Sequence, residues 1–191
     1  MSRREGSGPT IVVMGQHLFW IASRAAGIAA LLLSSAAVGV GLTMGGRMVK
    51  GRGLDLRTAH EALSLATLIA IVVHAAALLG DSYLDASALD ITVPFVSGYK
   101  EPWMSIGIVS GWGLVALGAS YYFRTRIGVA RWKRLHRWTA LAWLAGIVHS
   151  LGEGTDAGTR WFLVCTAVAV VPALVLLIVR HFPSTPVPSR T

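Results

Sequence analysis

The chain has 191 residues, 54% of them hydrophobic and only 14% charged, with a formal net charge of +8. That composition excludes an ordinary soluble domain and points to an integral membrane protein. The basic residues fall in alternate loops and form no single patch, which argues against a nucleic-acid partner. One cysteine, Cys165, rules out an internal disulfide and a cysteine-ligated cluster. It lies inside an apolar run and reads as a small buried apolar residue.

The elements expected in chain order are an all-α bundle of about five transmembrane helices. Residues 1–15 read as a flexible N-terminus, 16–182 as one transmembrane domain and 183–191 as a flexible, Pro-rich tail. The first helix runs from about Gln16 to Met44. It is too long for the ~7–15 residue core of a secretory signal and is expected to be retained. The second runs from about Leu56 to Leu79, the third from Trp103 to Phe123, the fourth from Trp132 to Leu151 and the fifth from Arg160 to His181. Each apolar run approaches the ~20 helical residues that cross a hydrocarbon core.

The loops alternate in sign. The first carries Arg47, Lys50, Arg52 and Arg57; the second carries Asp81, Asp85, Asp90 and Glu101 against Lys100. The third holds Arg124, Arg126, Arg131, Lys133 and Arg134 without an acid; the fourth holds Glu153 and Asp156 against Arg160. Short basic loops stay in the cytoplasm. The expected topology in the plasma membrane therefore places the N-terminus outside and the C-terminus in the cytoplasm, against the mild contrary vote of Arg3 and Arg4.

Four histidines gain meaning from this topology. His60 and His136 each follow a basic loop and share the inner depth. His74 and His149 each precede an acidic loop and share the outer depth. At 1.5 Å rise per residue, the two histidines of each helix stand about 20 Å apart. Two imidazoles at each depth, from two parallel helices, suit the two axial positions of a haem iron. A zinc site fits less well, because no carboxylate or thiol completes a tetrahedral shell. Angle is less clear than height. Fourteen residues return within about 40° of one helical face, whereas thirteen miss it by about 140°. Either a bulge re-phases the fourth helix or the two irons are approached from different flanks.

The run Trp132-Lys133-Arg134-Leu135-His136-Arg137, the histidine steps of 14 and 13, and the Pro94-Phe95, Pro102 and Ile106-Gly107 segments resemble the ferric reductase-like transmembrane domain family. That family includes NADPH oxidases, ferric-chelate reductases and the haem-bearing membrane subunit of the periplasmic methionine sulfoxide reductase system. The resemblance spans roughly residues 19–156. It implies two haem b groups, one on His60 and His136 and one on His74 and His149. It also implies electron transfer to an outer-face acceptor: ferric chelate, dioxygen or a redox partner. Members commonly have six helices rather than five, and many carry a flavin and nicotinamide domain. No GxGxxG-type fingerprint is found here. The donor is therefore expected to be a separate cytoplasmic reductase, a quinol or a bound flavin.

Other residues are weighed around this centre. Arg24, in the outer part of the first helix, is costly in a membrane unless paired, and a haem propionate is an acidic partner for it. Arg57, Arg134 and Arg137 flank the inner pair and serve either propionates or topology. Trp143, midway between His136 and His149, either fills the space between cofactors or is a core aromatic. Gly27, Gly39, Gly41, Gly111, Gly113 and Gly146 permit close approach of a helix or a porphyrin. Glu61 either exchanges protons or is an interfacial charge. His17 and His181, at helix ends, read as interfacial. The rival functions are a quinol-oxidising cytochrome b of another family and a haem-free membrane scaffold or sensor.

Overall fold

The computed structural model describes residues 8–45 and 53–181, with side chains from 17 to 45 and from 54 to 180. Arg47, Lys50, Arg52, the His181 side chain and the Pro-rich tail lie outside the described residues. All regular structure among the described residues is helical: α1 (Gly8–Gly45), α2 (Gly53–Leu78), α3 (Ala88–Thr92), α4 (Glu101–Ala119), α5 (Arg124–Ile127), α6 (Val129–His136), α7 (Thr139–Glu153) and α8 (Arg160–His181). Four segments are long and apolar enough to cross a bilayer: His17–Gly45, Leu54–Leu78, Glu101–Ala119 and Arg160–Arg180. The chain is a multi-pass membrane bundle.

Two expectations are corrected. The first helix already begins at Gly8, well ahead of Gln16. The fourth expected span, Trp132 to Leu151, is not one helix but α6 and α7, interrupted at Arg137 and Trp138. Across the interruption Trp138, Ala140 and Leu141 each donate to the carbonyl three residues back. Such tight turns advance by about 120° per residue instead of 100°. Five or so tightened steps add about 100° and cancel most of the 140° misfit of a thirteen-residue spacing. The interruption is thus what turns both histidines of this span toward α2.

The helices associate as two antiparallel pairs, α1 along α2 and α4 along α7, with α8 packed on α1. Direct packing between the pairs is sparse, and α2 meets α4 at few places. The apolar core sits where α1, α7 and α8 converge, around Leu31, Trp143, Ile147, Phe162, Val170 and Ala173. Small polar side chains tie the bundle, as expected where lipid removes the hydrophobic drive between helices. Ser110 Oγ donates to the Ala142 carbonyl at 2.8 Å, joining α4 to α7. Trp143 Nε1 donates to Ser35 Oγ at 3.0 Å, and the Ser35 hydroxyl in turn donates to the Leu31 carbonyl at 2.7 Å.

The outward faces are apolar. Leu65, Ile69, Val72 and Val73 of α2, and Val164, Val168, Val171 and Val175 of α8, are exposed where acyl chains would lie. Cys165 shares that outward face of α8 and is exposed, not buried as its neighbours in sequence suggest. An apolar run cannot say which of its residues face protein and which face lipid, because both surroundings are apolar. Trp143, at 1% exposure, is the largest fully buried side chain. Trp143→Ala is expected to cost about 3–5 kcal/mol, read as an earlier thermal unfolding transition in detergent.

Candidate haem site

The four histidines of the sequence pattern meet in two facing pairs. The rings of His60 and His136 lie 6.1 Å apart between centroids, and those of His74 and His149 lie 6.4 Å apart. The same order on both helices means that α2 and α7 run parallel. One pair lies at the basic end of the bundle, near Arg57, Arg124 and Arg134. The other lies at the acidic end, near Asp81, Glu153 and Asp156.

Three of the four rings are held from behind. His60 Nδ1 donates to the Ala37 carbonyl at 2.9 Å, His74 Nδ1 to the Ser23 carbonyl at 2.8 Å, and His149 Nδ1 to the Trp103 carbonyl at 2.8 Å. A carbonyl only accepts, so Nδ1 carries the proton and Nε2 keeps its lone pair. That tautomer is the one a metal ligand needs, and the backbone bond also fixes the ring's orientation. His136 differs: its Nδ1 is buried and has no hydrogen-bond partner. It is flanked instead by Trp132, stacked on it at 5.1 Å and 26°.

Glycines make room for the held rings. A Cβ at Gly27 would lie 3.1 Å from His74 Nδ1, one at Gly41 3.1 Å from His60 Cε1, and one at Gly107 2.5 Å from His149. Gly27 and Gly41 therefore let α1 approach the histidines of α2, which settles what those two do. Gly111, Gly113 and Gly146 admit Ile71, Ala142 and Ser110, and Gly39 faces open space. Gly107 was not singled out as a seat by its sequence, since nothing in its neighbourhood marks it as opposite His149.

The donor set can be tested against the cofactor. Two metal–imidazole bonds of about 2.0 Å, plus about 1.1 Å from each nitrogen to its ring centre, require centroids about 6.2 Å apart. Both pairs meet that requirement. Among the described residues no three groups of the His, Cys, Asp or Glu type gather at one point. Each level would therefore offer two imidazole nitrogens and no further side-chain ligand, a donor set that suits a metal carried in a group that brings its remaining ligands with it. Two clefts adjoin His149 of the acidic-end pair, both touching Gly27, Leu31, His149 and Ser150. The one facing α4 is walled largely by Gly, Ala and Ser.

The remaining candidate residues are placed as follows. Arg24 borders the other cleft. It already has an acid from the chain itself: its guanidinium forms an ion pair with Asp156, with Nε to Oδ2 at 3.0 Å. It also lies over the Trp20 ring at 4.2 Å. Arg57 is exposed and donates to the Tyr121 hydroxyl at 3.0 Å. Arg134, Arg137, Glu61 and His17 are exposed. Trp143 lies in the apolar core with one edge on the α4-facing cleft. Asp156 and Ser23 are the participants that the sequence did not disclose. Asp156 is 132 residues from its partner Arg24, and a serine in a helix carries no signal of what its carbonyl accepts.

The fold and these paired rings define an all-α, multi-pass membrane protein with two stacked sets of facing imidazoles. The family model described as "Ferric reductase like transmembrane component" matches residues 25–147, and the chain belongs to that family. The match takes in His60, His74 and His136 and stops just short of His149. No curated protein and no solved structure matches the chain. Transmembrane domains of this family typically bind haem, carry electrons across a membrane and work alongside other redox domains.

Proposed function

We propose that the chain is a di-haem b-type membrane cytochrome. In this reading His60 and His136 hold one haem at the cytoplasmic face, and His74 and His149 hold the other at the outer face. Each haem, when bound, supplies an iron that takes up and releases one electron at a time. The chain's own residues do the rest. The backbone carbonyls of Ala37, Ser23 and Trp103 keep three imidazoles in the ligating tautomer. The small residues of α1 and α4 leave space beside the rings, and the apolar outer faces of α2 and α8 keep water away.

The direction follows from the loop charges. The basic end, with the loop around Arg124 and Arg131, belongs in the cytoplasm, and the acidic end belongs outside. A cytoplasmic reductase or an inner-leaflet quinol is the donor. The acceptor approaches under the loop from Asp81 to Pro102 and is a ferric chelate, dioxygen or an outer redox partner. The proposed localisation is the plasma membrane, with the N-terminus outside. Arg24 and Asp156 line the outer cleft as an ion pair, so an acidic group on the cofactor would have to share or displace Asp156 to reach Arg24.

The observation that carries this reading is the spacing of both ring pairs with Nδ1 turned to the backbone. The test is haem quantitation of protein purified under haem-replete expression, with a reduced-minus-oxidised spectrum. Two b-type haems per chain are expected. A preparation with none, and with no b-type α band, would leave the haem-free scaffold as the better account.

A further inference from the structure

Three of the four histidines share one kind of seat. Each ring takes a carbonyl of the neighbouring helix and lies against a glycine four residues, about one turn, further along that helix. The seats are Ala37 with Gly41 for His60, Ser23 with Gly27 for His74, and Trp103 with Gly107 for His149. For His136 the backbone group is the Leu117 carbonyl, in a looser geometry than the other three. Four residues on from Leu117 stands Tyr121, not a glycine. The close seat is replaced at this one ligand.

An aromatic stack takes its place. Trp132, one turn before His136 on α6, lies over the imidazole at 5.1 Å and 26°. The Tyr121 ring meets the indole at 5.9 Å and 62°. Tyr121 is itself fixed: its hydroxyl accepts from Arg57 at 3.0 Å, and the Arg124 guanidinium lies over its ring at 4.0 Å. Arg57 is three residues before His60. The contacts therefore run as a strap from the helix of one ligand to the ring of the other. The Trp132 N–H is buried without an acceptor among the described residues, so ring contacts rather than a hydrogen bond set the place of the indole. His136 is where such support is needed, because it is the last residue of α6 and the helix is interrupted directly after it.

We propose that Trp132, backed by Tyr121, is a positioning residue that sets the plane of the His136 ring across that of His60. The two rings stand at 87° to one another. A flat ring stacked on one face of an imidazole opposes its rotation about the bond to Cβ. The inference rests on the reading that His60 and His136 hold a haem. Iron reports such an angle. Two axial imidazoles with crossed planes leave the two π-type d orbitals of low-spin ferric iron nearly equal in energy, and the resonance shows one large g value. More nearly parallel planes split those orbitals and give a rhombic set of less extreme g values.

The experiment is electron paramagnetic resonance of the ferric, haem-loaded protein in a His74→Ala background, where only the basic-end haem remains. Trp132 is retained or changed to Phe or Leu, and Tyr121→Leu removes the backing without touching the stacked residue. The large-g signal is expected with Trp132 in place, and Trp132→Phe, which keeps a flat ring, is expected to retain it. Trp132→Leu is expected to lose it to the rhombic set while haem content stays at one per chain. Tyr121→Leu is expected to show both signals. A rhombic signal with Trp132 in place, or a large-g signal unchanged in Trp132→Leu, would overturn the role of Trp132 while leaving the di-haem reading intact. So would loss of haem from Trp132→Leu combined with an unaltered signal in Tyr121→Leu. Wild-type protein without haem would overturn both.

Discussion

His74→Ala is expected to bring the haem content from two per chain to one. On the proposed di-haem reading the lost group is the one at the acidic end, because His149 alone would leave that level with a single imidazole. The basic-end pair is expected to survive. His60 is anchored to α1 at Ala37 and Gly41, about three to four turns from His74, and shares no contact with it. The measurement is haem stoichiometry together with the low-spin ferric signals in electron paramagnetic resonance, where one of two species should vanish. On the same reading electron transfer across reconstituted vesicles should fall to background, since His60 and His136 stand about 20 Å along their helices from the outer level. His60→Ala should give the mirror result. Retention of two haems in His74→Ala would show that this ring is not a ligand.

Gly107→Val is expected to be nearly as damaging without touching a ligand. A Cβ at Gly107 would sit 2.5 Å from the Nδ1 and Cε1 atoms of His149. That distance is not tolerated, so either α4 backs away from α7 or the ring leaves the Trp103 carbonyl. Both outcomes misdirect Nε2. The acidic-end haem should be lost or turn high-spin, while far-ultraviolet circular dichroism keeps its helical content. A graded series separates this from general damage. Gly27→Ala and Gly41→Ala meet their rings at 3.1 Å and should give partial losses at opposite ends. Gly39→Ala meets nothing within 4 Å and should behave as wild type. Equal behaviour of Gly39→Ala and Gly107→Val would remove the seating role.

The two experiments differ in what a reader of the sequence could have foreseen. His74 is visible as a candidate because depth in a bilayer is nearly a function of position along the chain. A histidine just before an acidic loop must lie near one face, and one just after a basic loop near the other. Gly107 is legible as part of the Ile106-Gly107 segment, but not as the seat of a histidine. Whether it touches His149, 42 positions away, depends on the register of α4 against α7, and apolar side chains of similar volume would permit several registers.

The same division runs through the rest of the molecule. The apolar runs, the alternation of loop charge and the spacing of four histidines were sufficient to establish a helical membrane bundle and to pair His60 with His136 and His74 with His149. Each of these is a one-dimensional property: length, sign and height follow from counting residues. The azimuth of every side chain was decided by packing. Packing breaks the fourth expected helix at Arg137 and Trp138, and the tight turn there brings a thirteen-residue spacing onto one face. It exposes Cys165 and gives Arg24 a partner in Asp156. Between apolar helices surrounded by lipid, a small number of short-range contacts selects one arrangement from many of similar burial, and those contacts exist only once the helices have met.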